Sequence, residues 1–244
     1  MVTLLKTGVE GLDSIFKGGV REGSNLLLIG PPGTGKSILT MQFLVEGAKN
    51  KEPGLCILYE SEIEDYLLYA DSLKIPLRKY VDAKIITIIK QSTTVQKIPT
   101  FSTPLEQIKK GKVTRIVLDS LTMFGYIHSE NTKSFRFEVL KFLSLMKGYT
   151  LLATAESADL SIDKHSAKTE EFLFDGVIHV TKIRQESTFE RVLNITKIRG
   201  QQHLLNIYPF FIEEGGVHVY PDQLPFALIS HDENIRSGKK VQKK

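Results

Sequence analysis

Ser24-Asn25-Leu26-Leu27-Leu28-Ile29-Gly30-Pro31-Pro32-Gly33-Thr34-Gly35-Lys36-Ser37 is the stretch on which the reading of this chain turns. Its apolar run at 25–29 predicts a buried strand, and the apolar spacing after Ser37 predicts a helix. Between them, residues 30–37 carry the phosphate-loop spacing G-x-x-x-x-G-K-[ST] in the strand–loop–helix setting that the motif requires. Gly33 and Gly35 permit backbone conformations that turn successive N–H groups toward a phosphate, and the helix that follows adds the positive end of its dipole. In such a loop Lys36 reaches the β- and γ-phosphates, and the Ser37 hydroxyl ligates Mg²⁺. The sequence therefore predicts a nucleotide site formed by Gly30, Pro31, Pro32, Gly33, Thr34, Gly35, Lys36, Ser37 and Ile38, with Mg²⁺ at Ser37.

Working outward, residues 3–23 contain three turn signals around a short helical segment at 12–16. Residues 38–49 form the helix after the loop, Pro53-Gly54 stops it, and residues 55–59 form the next strand. Residues 62–73 read as an amphipathic helix with Leu67, Leu68, Ala70 and Leu73 on the buried side. The run at 84–89 suits a parallel strand covered on both faces. Residues 90–112 are polar and punctuated by proline, with at most a short helix near 104–110. A third parallel strand at 114–120 ends in Asp119-Ser120. Residues 134–146 space Phe135, Val139, Phe142, Leu143 and Met146 as the core face of a helix, and residues 150–155 form a further strand. From there the pattern predicts antiparallel strands at 177–183, 191–198, 209–212 and 217–220, with Gly215-Gly216 as a hairpin turn.

Strand–helix alternation over the first 155 residues predicts an α/β fold, a mostly parallel sheet wrapped by helices with an antiparallel extension at its C-terminal end. Ligands of such sheets lie beyond the carboxyl ends of the strands. Gly30, residues 59–62, Asp119 and residues 154–156 all follow strand ends, so they converge. Asp119 at the end of an apolar strand has the placement of the acid that organises the Mg²⁺ shell, and it joins Ser37 as a candidate metal ligand.

At 244 residues the chain suits one α/β domain at 1–230, followed by a basic, disordered tail at 231–244. The net charge is +4, but residues 236–244 hold five basic residues and no acid, so residues 1–235 carry −1. A near-neutral body does not suggest an electrostatic nucleic-acid binder. No run of 18 apolar residues predicts a membrane span. Cys56 is the only cysteine and sits within a buried-strand pattern, so a reducing cytoplasm is the expected compartment.

These residues carry a resemblance. The chain resembles a KaiC-like member of the RecA superfamily of ATPases, a group found widely in archaea. The resemblance rests on Thr7-Gly8-Val9-Glu10-Gly11-Leu12-Asp13 with Gly18-Gly19, the phosphate loop, Ile116-Val117-Leu118-Asp119-Ser120, and Thr196-Lys197-Ile198-Arg199-Gly200 followed by Pro209-Phe210 and Val219-Tyr220-Pro221. Thr154-Ala155-Glu156 and the segment from Glu170 to Ile178 fit as well. It implies a RecA-like core that binds Mg·ATP between adjacent subunits of a ring, usually a hexamer. It also implies that Lys197 and Arg199 reach into the neighbouring subunit's site. A cation delivered in trans would stabilise charge developing on the transferred phosphoryl oxygens. On the residues alone, Lys197 and Arg199 share one side of a strand and read equally as a solvated face.

One position departs from the family. Two consecutive glutamates are usual after the second strand, the second activating the attacking water, whereas this chain reads Tyr59-Glu60-Ser61-Glu62. An ungapped match puts Ser61 in the catalytic position beside Glu60; a one-residue shift puts Glu62 there. The expected function is a slow ATPase that acts as an oligomeric conformational switch with a regulatory protein partner. The alternatives are a non-hydrolysing ATP-binding regulator of the archaellum-motor type, and a recombinase paralogue binding single-stranded DNA through loops near 124–132 and 157–169. Those loops offer only Lys133, Lys164 and Lys168, which disfavours DNA.

Overall fold

The computed structural model describes residues 3–91, 113–122, 132–157, 169–185, 187–226 and 228. The expected helix at 104–110, most of the loops at 124–132 and 157–169, and the tail at 231–244 lie outside these. A ribbon of β1 (Leu4–Leu5) and β2 (Val20–Arg21) flanks the short α1 (Leu12–Ile15) and leads into β3 (Asn25–Gly30). The loop then enters α2 (Lys36–Lys49), followed by β4 (Gly54–Leu58), α3 (Ile63–Ser72), α4 (Leu77–Asp82) and β5 (Ile86–Lys90). Next come β6 (Arg115–Asp119), α5 (Thr132–Leu145), β7 (Thr150–Glu156), β8 (Gly176–Gln185), β9 (Thr188–Ile198), β10 (Tyr208–Glu213) and β11 (Gly216–Val219).

Among the described residues nine strands join in one sheet, ordered β11-β10-β9-β8-β3-β7-β6-β4-β5. From β8 to β5 the strands are parallel; β9, β10 and β11 continue the sheet antiparallel. This is the α/β architecture of a RecA-like phosphate-loop ATPase core. The pleat divides the central strands between two cores. Leu26, Leu28, Cys56, Leu58, Val117 and Leu152 pack on the side of α2, α3 and α4. Leu27, Ile29, Leu55, Ile57, Ile116, Leu118 and Ala153 pack on the other side, with Val139 and Phe142 of α5 and Met146 just beyond it. Both faces being covered explains why these strands read as unbroken apolar runs.

The structure corrects four details of the sequence reading. The strand expected at 177–183 to be antiparallel pairs in parallel with β3, Leu27 opposite Val177, as well as antiparallel with β9. The strand expected from 84 begins at Ile86, because Lys84 takes a positive φ of 58° just after α4. Helix α4 itself was not anticipated; Pro76 stands at its N-cap. Leu68, expected on the buried face of α3, is exposed, while Tyr66, Leu67 and Ala70 are buried. No described helix is long and apolar enough to cross a membrane.

Candidate functional site

Parallel pairing brings the carboxyl ends of the central strands into register. Gly30 lies opposite Glu156 of β7, and Leu58 at the end of β4 lies opposite Asp119 at the end of β6. The Tyr59 N–H donates to the Asp119 carbonyl at 2.8 Å, and the Ser157 N–H to the Gly30 carbonyl at 3.2 Å. Gly30 must be glycine, since a Cβ there would fall 2.1 Å from the Val180 carbonyl oxygen of β8. Gly33 and Gly35 take φ of 71° and 97°, in the left-handed region that glycine occupies without strain. Gly35 is the N-cap of α2 and no side chain caps that end, which leaves first-turn N–H groups free for an anion.

Within this frame the charged side chains meet. The Lys36 ammonium donates to the carbonyls of Gly30 at 2.8 Å and Pro31 at 3.0 Å, folded over its own loop. Thr34 braces the same turn by donating to the Pro31 carbonyl at 2.8 Å. The Ser37 hydroxyl donates to Asp119 Oδ2 at 2.7 Å, and the Thr154 hydroxyl to Asp119 Oδ1 at 2.5 Å. Burial pushes the Asp119 carboxyl above its ordinary pKa, against the lowering effect of those two hydrogen bonds. Burial likewise lowers the pKa of Lys36, although the charges of Glu156, Asp119 and Glu60 oppose this. Beneath the loop, Thr40 donates to the Ser37 carbonyl at 2.6 Å and meets the Tyr66 hydroxyl at 2.8 Å, so α3 buttresses the first turn of α2.

Lys36, Ser37 and Asp119 open into a cleft of about 490 Å³ that Glu60, Ser61 and Glu156 also line. That size falls within the roughly 300–1,000 Å³ usual for small-molecule sites. Glu60 Oε1 accepts the Ser120 hydroxyl at 2.5 Å. The Glu62 side chain turns away, 70% exposed and paired with Lys90 at 3.2 Å, and is not among the cleft's lining residues. Tyr69, Ser72, Leu73 and Ile212 supply the less polar end of the cleft.

Lys197 and Arg199 lie elsewhere. Lys197 is level with Val177, and so with Leu27 in the first half of β3, whereas the loop follows the strand's last residue. Its ammonium donates to the carbonyls of Glu171 at 3.0 Å and Phe174 at 2.6 Å; Arg199 donates to the Phe172 carbonyl at 2.8 Å. Three residues of strand, about 10 Å, separate that level from Gly30, and β8 stands between. Within one chain these two cations do not join the cleft. The structure brings together the loop, Asp119 and the 154–156 strand end, which the sequence analysis expects to converge. Ser120 as the partner of Glu60, Thr154 as the second partner of Asp119, and Lys90 escape that reading.

Residues 5–224 match the family model described as ATPase: KaiC. The chain belongs to the KaiC family of ATPases. It is 30% identical over 247 residues to the circadian clock protein KaiC2 of Synechocystis sp., covering 95% of this chain and 43% of that protein. It is 28% identical to the circadian clock oscillator protein KaiC of Parathermosynechococcus lividus over 98% of this chain and 46% of that protein. Against the corresponding protein of Synechococcus elongatus the identity is 28%, over 90% of this chain and 44% of the relative. The chain thus spans less than half the length of the curated relatives it matches. Membership in the family implies nucleotide binding.

Proposed function

We propose that this KaiC-family domain binds Mg·ATP in the cleft at 30–38 and hydrolyses it slowly. We further propose that it works in the cytoplasm as a conformational switch, in a ring of its own copies that is usually hexameric in the family, and that it acts on a regulatory protein partner. One observation carries the reading: the Ser37 hydroxyl bonds Asp119 at 2.7 Å in a cleft that Lys36, Glu60 and Ser61 also line.

The residues present fit a magnesium nucleotide. Ser37 Oγ and the Asp119 carboxylate are the oxygen donors that a hard cation prefers, and a cation there would offset the desolvation that raises the Asp119 pKa. When bound, Mg²⁺ supplies charge neutralisation on the β- and γ-phosphates. Lys36 and the free N–H groups of α2 bind and orient the same phosphates. Glu60, held by Ser120, and Ser61 line the same cleft as Lys36 and Asp119, which supports one of them lying next to an attacking water. A serine hydroxyl is a weak base at neutral pH, which supports slow turnover. Lys197 and Arg199 lie too far from their own loop to serve it, which supports their delivery to a neighbouring copy. ATP affinity and phosphate release, measured side by side on the wild type and on Lys36→Ala, test the reading: wild type binds and turns over slowly, and the variant does neither. Wild-type binding without any phosphate release removes hydrolysis from it.

A further inference from the structure

Resting on that reading, we propose that Lys90 is a positioning residue for hydrolysis: its single ammonium fixes the loop at 59–62 so that Glu60 and Ser61 face the cleft and Glu62 faces out. Strand β5 is the edge neighbour of β4, and the register sets Lys90 opposite Leu58, one residue before the loop. The Gln91 N–H donates to the Leu58 carbonyl at 2.8 Å and extends the pairing to that point. From there the Lys90 ammonium donates to the backbone carbonyls of Glu60 at 2.9 Å and Ser61 at 3.0 Å, and contacts the Glu62 carboxylate at 3.2 Å. Two of its donors are thus spent on successive carbonyls, and its charge pairs with the carboxylate of the third residue.

The geometry assigns each contact a consequence. Strand β4 ends at Leu58, so no ladder hydrogen bonds hold the peptides of Glu60 and Ser61. Turning both carbonyls toward one cation orients both peptides, and the side chains of Glu60 and Ser61 line the cleft. The Glu62 carboxylate is drawn to the same cation, on the outer side, where Glu62 forms the N-cap position of α3. The Glu62 pair is mostly exposed, and exposed ion pairs contribute little. The carbonyl contacts therefore dominate. Lys90 touches no reacting group; it acts through the residues it holds.

The experiment compares Lys90→Met, which keeps the aliphatic stem and loses the donors, with Lys90→Arg, which keeps donors, and with Lys49→Met. Lys49 is paired only to Glu46 at the far end of α2 and reports what loss of a surface ion pair does by itself. Three quantities are read: amide hydrogen exchange over residues 59–63, kcat, and ATP Kd. Lys90→Met should speed exchange in that loop alone and lower kcat by about ten- to a hundredfold, the scale of a small misplacement of a reacting group, with Kd within about twofold. Lys90→Arg should recover part of kcat, and Lys49→Met should leave all three unchanged. Unchanged loop exchange in Lys90→Met overturns the proposal whether or not the protein hydrolyses ATP. Faster exchange with wild-type kcat overturns it too. Wild type that binds ATP but releases no phosphate defeats the hydrolytic reading instead, and exchange alone then decides whether Lys90 orders the loop.

Discussion

The Ser37 hydroxyl donates to Asp119 Oδ2 at 2.7 Å, joining the first turn of the helix after the phosphate loop to the end of a strand 82 residues further along the chain. In a 5-residue strand buried up to its last position, Asp119 is the residue that reaches the cleft rim. Thr154 of the neighbouring strand completes its hydrogen bonding, so the carboxylate is oriented before any ligand arrives.

Lys36→Ala should weaken ATP binding by about a hundredfold or more, because it removes a charge-assisted contact to the phosphates in a partly desolvated site. Isothermal titration measures this. Unchanged affinity would show that the nucleotide does not use the loop.

The loop after β4 yields a sharper prediction than the sequence allowed. Glu60 and Ser61 line the cleft while Glu62 points outward. Ser61→Glu should raise turnover, by up to the roughly 10²–10⁴-fold of general-base catalysis, and Glu62→Gln should change it less than about twofold. A loss of activity in Glu62→Gln with no gain in Ser61→Glu would reverse the assignment.

How much of this was legible beforehand depends on the range of the interaction. The loop, its flanking strand and helix, and Asp119 were readable because each signal is contiguous in sequence. The parallel pairing of β8 with β3 was not, since the partners are about 150 residues apart and the hairpin with β9 dominates the local pattern. Lys90 was invisible for another reason: its partners at 60 and 61 are backbone carbonyls, which every residue carries. The turn of Glu62 away from the cleft goes with β4 ending at Leu58, one residue short of the strand expected at 55–59.

Stability of the sheet on the α2 side rests on Arg115, which is fully buried. Its guanidinium donates to Glu52 at 2.6 Å and to the carbonyls of Lys6 at 2.6 Å and Phe43 at 3.1 Å, and stacks 4.7 Å from the Phe43 ring centroid. Arg115→Ala should cost about 3–5 kcal/mol in denaturant unfolding, through a cavity and an orphaned partner. Gly47→Ala should destabilise as well, although alanine normally favours a helix interior, because its Cβ would lie 2.5 Å from Arg115 Cδ. A stabilised Gly47→Ala would contradict this packing.

His218 offers a pH test away from the site. Burial pulls its pKa down, but the hydrogen bond that its Nδ1 donates to Glu10 at 2.8 Å, the one to the Glu214 carbonyl and the charges of Glu10 and Glu213 outweigh it, so the net shift is upward from 6.5. A raised folded-state pKa means that this contribution to stability is fully present below the unfolded value and is lost as pH rises through the folded one. Glu10→Gln should lower the His218 pKa in an NMR titration and flatten that part of the stability profile. An unmoved titration would show that Glu10 does not hold the ring.

A second copy of the chain is proposed to complete the site, because Lys197 is level with Leu27, three residues short of the loop's start and across β8, and Arg199 lies further from the loop still. Mixing Lys36→Ala with Arg199→Ala tests it most directly, with melting temperatures confirming that both variants fold. Each variant alone should release almost no phosphate. The mixture should regain a measurable fraction of wild-type turnover, since interfaces pairing an intact loop with an intact Arg199 can then form. A mixture no more active than its components, from variants shown to co-assemble, would contradict the shared site.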